Sequence, residues 1–127
     1  MKNIVIHSDF RKSYFQIKTQ GEIECSVFLS LINLLDYKEF VQLDSLNIIL
    51  DLRKTQLKIT VNEYLSLIAP FAEMVGKFKY VKMAKLVDTP YETALALLFH
   101  EDTHNISNLD CNLYNTTSAA TRWLFNS

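Results

Sequence analysis

Apolar positions along this chain fall into two rhythms, and the switching between them predicts its elements. Three short runs read as strands, each followed by a helix opening. Leu46 to Leu50 leads through Asp51 to Thr60-x-x-Glu63, Val81 to Val87 leads to Thr89-Pro90-Tyr91-Glu92, and Leu109 to Tyr114 leads to Asn115, Thr116 and Thr117. Strand, cap and helix in repetition is the order of an α/β domain with parallel strands. Leu46 to Leu50 is apolar except at Asn47, as a strand covered on both faces should be. Upstream, Ile4-Val5-Ile6 and Tyr14 to Ile17, with Ser8-Asp9 and Arg11-Lys12 between them, predict an opening antiparallel pair.

The helical rhythm appears first after Gly21, from about Glu22 to Tyr37. Glu22, Ser26, Ser30 and Asn33 make its polar stripe, and Ile23, Val27, Leu31, Leu34 and Leu35 face a core. The second helix opens at Thr60, whose hydroxyl can accept from the Glu63 amide while Glu63 reaches back. Val61, Tyr64, Leu65, Ile68 and Ala72 hold its spacing; Pro70 predicts a kink or break near Ile68 to Pro70, and Gly76 closes it. For the third helix, Thr89 is the predicted cap, Pro90 the first helical residue, Glu92 the other half of a capping box, and Tyr91, Ala94, Leu95 and Leu98 the inward stripe. The last helix sets Ala119 beneath Trp123 and Ala120 beneath Leu124.

The resulting order is β-β-α-β-α-β-α-β-α. With Leu46-Asn47-Ile48-Ile49-Leu50-Asp51-Leu52-Arg53, Val81-Lys82-Met83-Ala84-Lys85-Leu86-Val87-Asp88, Thr89-Pro90 and the closing Ala120-x-x-Trp123-Leu124, it resembles the STAS or SpoIIAA-like domain. That fold is also built like the core of CRAL-TRIO lipid-transfer domains. The resemblance covers almost the whole chain and is to short bacterial single-domain proteins of this type. It implies one α/β domain over 1–127: a single mixed sheet of five strands, the first two antiparallel and the rest parallel. The strands lie in sequence order, joined by right-handed crossovers as a (βα)n superhelix. It also implies a non-enzymatic regulatory or protein-interaction module, or a carrier or sensor of an apolar ligand such as a lipid.

Composition narrows the function classes. A length of 127 residues with 49% hydrophobic content suffices for one core, and a net charge of −1 draws nothing towards nucleic acid. No segment predicts a signal peptide or a bilayer span, and Cys25 and Cys111 read as reduced thiols of a cytoplasmic protein. Only two glycines, Gly21 and Gly76, are present, too few for a Walker loop or a dinucleotide fingerprint.

Three patterns bear on chemistry. His100-Glu101-Asp102-Thr103-His104 matches H-E-x-x-H, but Asp102 is charged where the zinc-protease pattern is not, Ser107 stands where glycine is expected, and the segment falls at a helix end. We read these as polar residues on the surface and expect no metal. In STAS anti-sigma-factor antagonists a phosphorylatable serine opens the helix after the central strand; here only Thr60 offers a hydroxyl at the comparable place, and capping is the reading we take. Lys77, Lys79, Lys82 and Lys85 alternate with Phe78 and Tyr80, while Arg53, Lys54 and Lys58 form a second group at the opposite strand end. Split in this way, they read as solvated rim.

Two candidate sites follow. The carboxyl ends of the strands gather Arg53, Thr60, Asp88, Thr89, Asn115 and Thr116 as a binding rim for a protein partner, with an Arg53–Asp88 contact as the local alternative. An apolar cavity between helices and sheet, lined by Phe28, Leu65, Phe71, Leu98 and Phe99, is the site for an apolar small molecule. Nothing pairs a nucleophile with a base, so no catalytic residue, enzyme activity or cofactor is expected. A homodimer remains open; nucleic acid is not among the expected partners.

Overall fold

A computed structural model describes residues 3–37 and 43–125. A five-stranded sheet has the order β1 (Ile4–Asp9), β2 (Tyr14–Thr19), β4 (Ser45–Asp51), β6 (Tyr80–Leu86), β7 (Leu109–Tyr114). The first pair is antiparallel and every later pairing is parallel, in sequence order. Helices α1 (Cys25–Leu35), α2 (Val61–Val75) and α3 (Pro90–Thr103) bury one side of the sheet, where Phe15, Ile17, Ile48, Leu50, Val81 and Met83 meet Leu31, Leu35, Phe71, Met74 and Ala96. Helix α4 (Thr117–Phe125) packs on the other side, setting Ala120 and Leu124 against Ile49, Ala84 and Leu86. The consecutive residues Ile48, Ile49 and Leu50 are all buried because neighbours on a strand point to opposite, equally covered faces.

The structure adds a second sheet that the apolar pattern does not predict. Beyond Thr19 and Asp51, the parallel pair β2 and β4 continues as β3 (Gly21–Glu24) and β5 (Thr55–Lys58). Pairing runs to Lys18↔Asp51 and resumes at Gly21↔Thr55, so the later strand carries one extra residue. That bulge is made by left-handed backbone at Gly21 (φ 76°) and Lys54 (φ 63°), where the Gly21 N–H donates to the Lys54 carbonyl at 2.9 Å. Thr19 Oγ1, which donates to the Asp51 carbonyl at 3.1 Å and lies 2.6 Å from Thr55 Oγ1, ties the joint shut. Glu22 and Ile23 therefore belong to a strand, and α1 starts at Cys25 with Leu34 partly exposed. Ile23, Leu57, Ile59, Tyr64 and Leu67 form a second core cluster around the small sheet.

The helices correct three further expectations. Helix α2 has the predicted capping box, with Glu63 N–H donating to Thr60 Oγ1 at 3.1 Å and Thr60 N–H to Glu63 Oε1 at 2.9 Å. It runs unbroken through Pro70, so the expected break is absent, and Gly76 caps it in right-handed geometry. Thr89 and Pro90 open α3 as predicted, but no box forms, because Glu92 turns inward and accepts the Leu57 N–H at 3.3 Å. The inward stripe of α3 is Glu92, Ala96 and Thr103 with Leu95 and Phe99 beside them; Tyr91, Ala94 and Leu98 are exposed. The helix has little amphipathic phase of its own, so sheet contact decides its facing.

Trp123 is half-buried on α4, tilted against Tyr114 with ring centroids 5.9 Å apart, while Leu124 beside it is only 4% exposed. The seal on this face is thus Leu124 and Ala120. Leu124→Ala should cost about 2–5 kcal/mol and Trp123→Ala only ~1–2 kcal/mol in urea denaturation. The reverse ranking would show that Trp123 seals the face after all.

Candidate functional site

Where the small sheet peels away from the large one, the two core clusters do not close fully against each other. The gap is a half-enclosed cavity of about 110 Å³. Its walls are Ile17, Ile48, Leu50 and Met83 from the large sheet, Leu57 and Ile59 from the small sheet and the segment leaving it, and side chains of α1, α2 and α3. Phe28, Phe71 and Phe99 line it, the last two edge-to-face with centroids 4.9 Å apart. Leu65 and Leu98 do not: they are 52% and 41% exposed, on the outer faces of α2 and α3. The spacing put each on a helical face, but the two helices turn the other flank inward.

Two charged residues interrupt the apolar lining. Lys85 enters from β6, opposite Leu50 of β4 and Leu113 of β7, and is 6% exposed. Its ammonium sits 3.3 Å from the centroid of the Phe99 ring. Burial pulls its pKa down from 10.5 to about 8, only partly opposed by the nearby Cys111. Glu92, 5% exposed, is held by the Leu57 amide. The reading of the lysine group as a solvated rim is therefore wrong for Lys85 and Lys82. Lys82 is buried on the opposite face, donating to the Trp123 carbonyl at 3.2 Å and lying 5.0 Å from that residue's indole ring. Positions 82 and 85 differ by an odd number, so on a strand covered on both faces one lysine must enter each layer. That signal was present in the sequence. So was the polar–apolar alternation of Glu22-Ile23-Glu24 and Gln56-Leu57-Lys58-Ile59, which marks the small sheet.

The carboxyl-end rim is differently built from the expectation. Among the described residues Arg53 makes no hydrogen bond or ion pair with Asp88, whose charge acts on it only from a distance and as the weakest influence on its pKa. It grips Asp51 at the end of β4, through Nε to Oδ1 at 3.0 Å and Nη2 to Oδ2 at 2.9 Å. The same guanidinium donates to Thr117 Oγ1 at 3.2 Å and the Asn115 carbonyl at 3.5 Å. Burial works to raise the Asp51 pKa, but the hydrogen bonds and charge of Arg53 overcome it and hold the carboxyl below its usual value. Arg53 thus staples β4 to the start of α4. Thr116 Oγ1 accepts the Ala119 N–H at 3.2 Å, as a cap of α4. Asp88 is exposed beside Thr89, whose buried hydroxyl oxygen has no hydrogen-bond partner among the described residues. Among the described residues Thr60 bonds only within the first turn of α2. Hydrogen bonds thus join Arg53 and Asn115; none among the described residues joins them to Thr60, Asp88, Thr89 or Thr116.

In the H-E-x-x-H segment, His100 is exposed and His104 caps the end of α3, its Nδ1 2.6 Å from the Glu101 carbonyl oxygen. Asp102 accepts the Tyr64 hydroxyl at 2.9 Å, and Thr103 is buried, donating to the Phe99 carbonyl at 2.7 Å. The Asp102–Tyr64 bond ties α3 to α2, while the bonds of Thr103 and His104 stay within α3.

No protein-family model matches the sequence, and no curated protein matches it either. Among solved structures, the chain is similar to an uncharacterized protein of the DUF3478 family from Shewanella loihica PV-4, described as having a SpoIIAA-like fold. The TM-score is 0.64 at 11% identity, covering 95% of this chain and 91% of that one. The fold is SpoIIAA-like. The likeness spans almost the whole of both chains, while so low an identity carries only the architecture. No helix among the described residues is long and apolar enough to cross a membrane.

Proposed function

We propose that this SpoIIAA-like chain is a non-enzymatic module that senses or carries a small apolar ligand held between its two sheets and its helices. The observation carrying this reading is the cavity: about 110 Å³, walled almost wholly by aliphatic and aromatic side chains. Protein interiors are packed with few voids larger than a water molecule, and apolar gaps of this order take up small hydrocarbons. Met74 and Met83 in the wall lend it adaptable shape. Arg53, the centre of the rim reading, is engaged with Asp51, Asn115 and Thr117, which favours the cavity over the rim as the binding site.

Toluene is the suitable neutral probe. At a hundred times its Kd it should stabilise the fold by about 2.7 kcal/mol, read as a rise in Tm. It should also shift the methyl resonances of Met74 and Met83 in NMR spectra. Ala96→Leu, which fills the space from α3, should abolish both responses in a folded protein. A wild-type protein indifferent to toluene, or an Ala96→Leu variant that still responds at the same methyls, would refute the cavity as a binding site.

A further inference from the structure

From the position of Lys85 we infer that the ligand of this cavity is a small apolar monocarboxylate, its carboxylate paired with the Lys85 ammonium and its hydrocarbon part against Phe71, Phe99 and Met83. This rests on the cavity being a binding site and goes on to specify what it binds. Lys85 is more than nine-tenths buried and lines the cavity, yet among the described residues its ammonium has neither a hydrogen-bond acceptor nor an ion-pair partner. An ammonium has three donors, and the face of Phe99 satisfies a small part of that demand. A buried charge left in this state is expensive, and an anion brought by the ligand completes it.

The surroundings select the head group. From β7, Cys111 faces Lys85; burial pushes its thiol pKa up, against the pull of the ammonium, so it is a neutral neighbour near pH 7. From α3, Glu92 lines the same cavity but is turned to the Leu57 amide and lies outside ion-pair distance of Lys85. From α2, the Tyr64 hydroxyl is committed to Asp102, and burial, aided by that carboxylate, raises its pKa. One ammonium with no guanidinium beside it matches a single negative charge, whereas a phosphate dianion calls for more donors. The volume limits the size: an engineered cavity of about 150 Å³ holds benzene, so about 110 Å³ encloses at most a small hydrocarbon part, leaves the rest of a benzoate-sized molecule to the half-open mouth, and excludes a long acyl chain from the enclosed part.

The test compares benzoate with toluene on the full chain by titration calorimetry. Wild-type protein should bind benzoate at least tenfold more tightly than toluene near pH 7. Lys85→Met should weaken benzoate tenfold or more while retaining toluene. Because Lys85 loses its proton near pH 8, benzoate affinity should hold steady from pH 6 to 7.5 and fall towards tenfold per pH unit above about 8. Toluene affinity should not follow that profile. Toluene binding without a benzoate preference, or benzoate binding unchanged by Lys85→Met, would overturn the carboxylate assignment and leave the apolar site standing. Failure of both probes would bring down the site itself.

Discussion

Phe15→Ala should lower the stability of this protein by about 3–5 kcal/mol, enough to unfold much of the population of a domain whose total is about 5–15 kcal/mol. Phe15 is 1% exposed and is the largest of the fully buried side chains. It sits on β2, the strand that joins the antiparallel opening pair to the parallel sheet, paired with Ser8 on one side and Ile48 on the other. Its ring meets Phe10 edge-on at 5.7 Å and 87°, so truncation removes an aromatic pairing as well as buried area. Phe15 belongs to the main core cluster, among Ile17, Leu31, Leu35, Leu46 and Ile48, so truncation opens a void within that cluster. Urea denaturation should show a lower midpoint at an unchanged slope, with Val5→Ala, 52% exposed on the edge strand, as a near-neutral control. A loss below ~1 kcal/mol would mean that the opening pair folds independently of the parallel sheet.

The sheet was legible because its signals are local and redundant. An apolar run such as Leu46 to Leu50 can only be a covered strand at that length, and Thr60 with Glu63 closes its capping box within four residues of chain. Glu92 failed as a box partner for a tertiary reason: the buried Leu57 amide needs an acceptor, and satisfying it outweighs a cap that water can replace. The facing of α3 was illegible because Leu95, Leu97, Leu98 and Phe99 leave almost no polar side to read. The spacing therefore points Leu98 towards the cavity, whereas both Leu97 and Leu98 point outward. The cavity depends on a bulge of one residue between β4 and β5, and bulges leave little trace beyond the residue that takes positive φ. Here two residues take it: Gly21, which the sequence does mark, and Lys54 on the bulged strand, for which no sequence rule predicts a left-handed backbone. The sequence shows that Arg53 follows a covered strand, but its partner is not deducible from it. Asp51 ends β4 two residues earlier, and only the turn at Arg53 and Lys54 folds the guanidinium back onto it.

The second large effect is a gain. Lys85→Met should raise stability at pH 7 by ~3 kcal/mol, and the gap over wild type should close as the pH rises towards about 10.5. The sign follows from where the protons are. Unfolded Lys85 has the ordinary value of 10.5 and folded Lys85 about 8, because burial penalises the charge. Below about pH 8 both states carry the proton, and the folded state bears the full cost of burying it. Between about pH 8 and 10.5 the unfolded state holds more protons than the folded one, so wild-type stability climbs with pH. Methionine, of similar length and without charge, has no such dependence. Tyr64 and Tyr80, whose pKa values burial and their aspartate partners raise, lose their contribution to stability as pH rises above about 10. Both proteins carry them, so the difference between wild type and variant isolates Lys85. Urea denaturation at intervals from pH 7 to 9.5 reads that difference. A gap that stays constant with pH would assign the gain to packing alone, and no gap at pH 7 would mean the ammonium is hydrated in the folded state. Saturating benzoate makes the last distinction: by pairing the ammonium it should stabilise wild type more than Lys85→Met and narrow the gap at pH 7. The stability withheld by this lysine is then restored by the ligand, which couples occupancy of the cavity to the firmness of the fold around it.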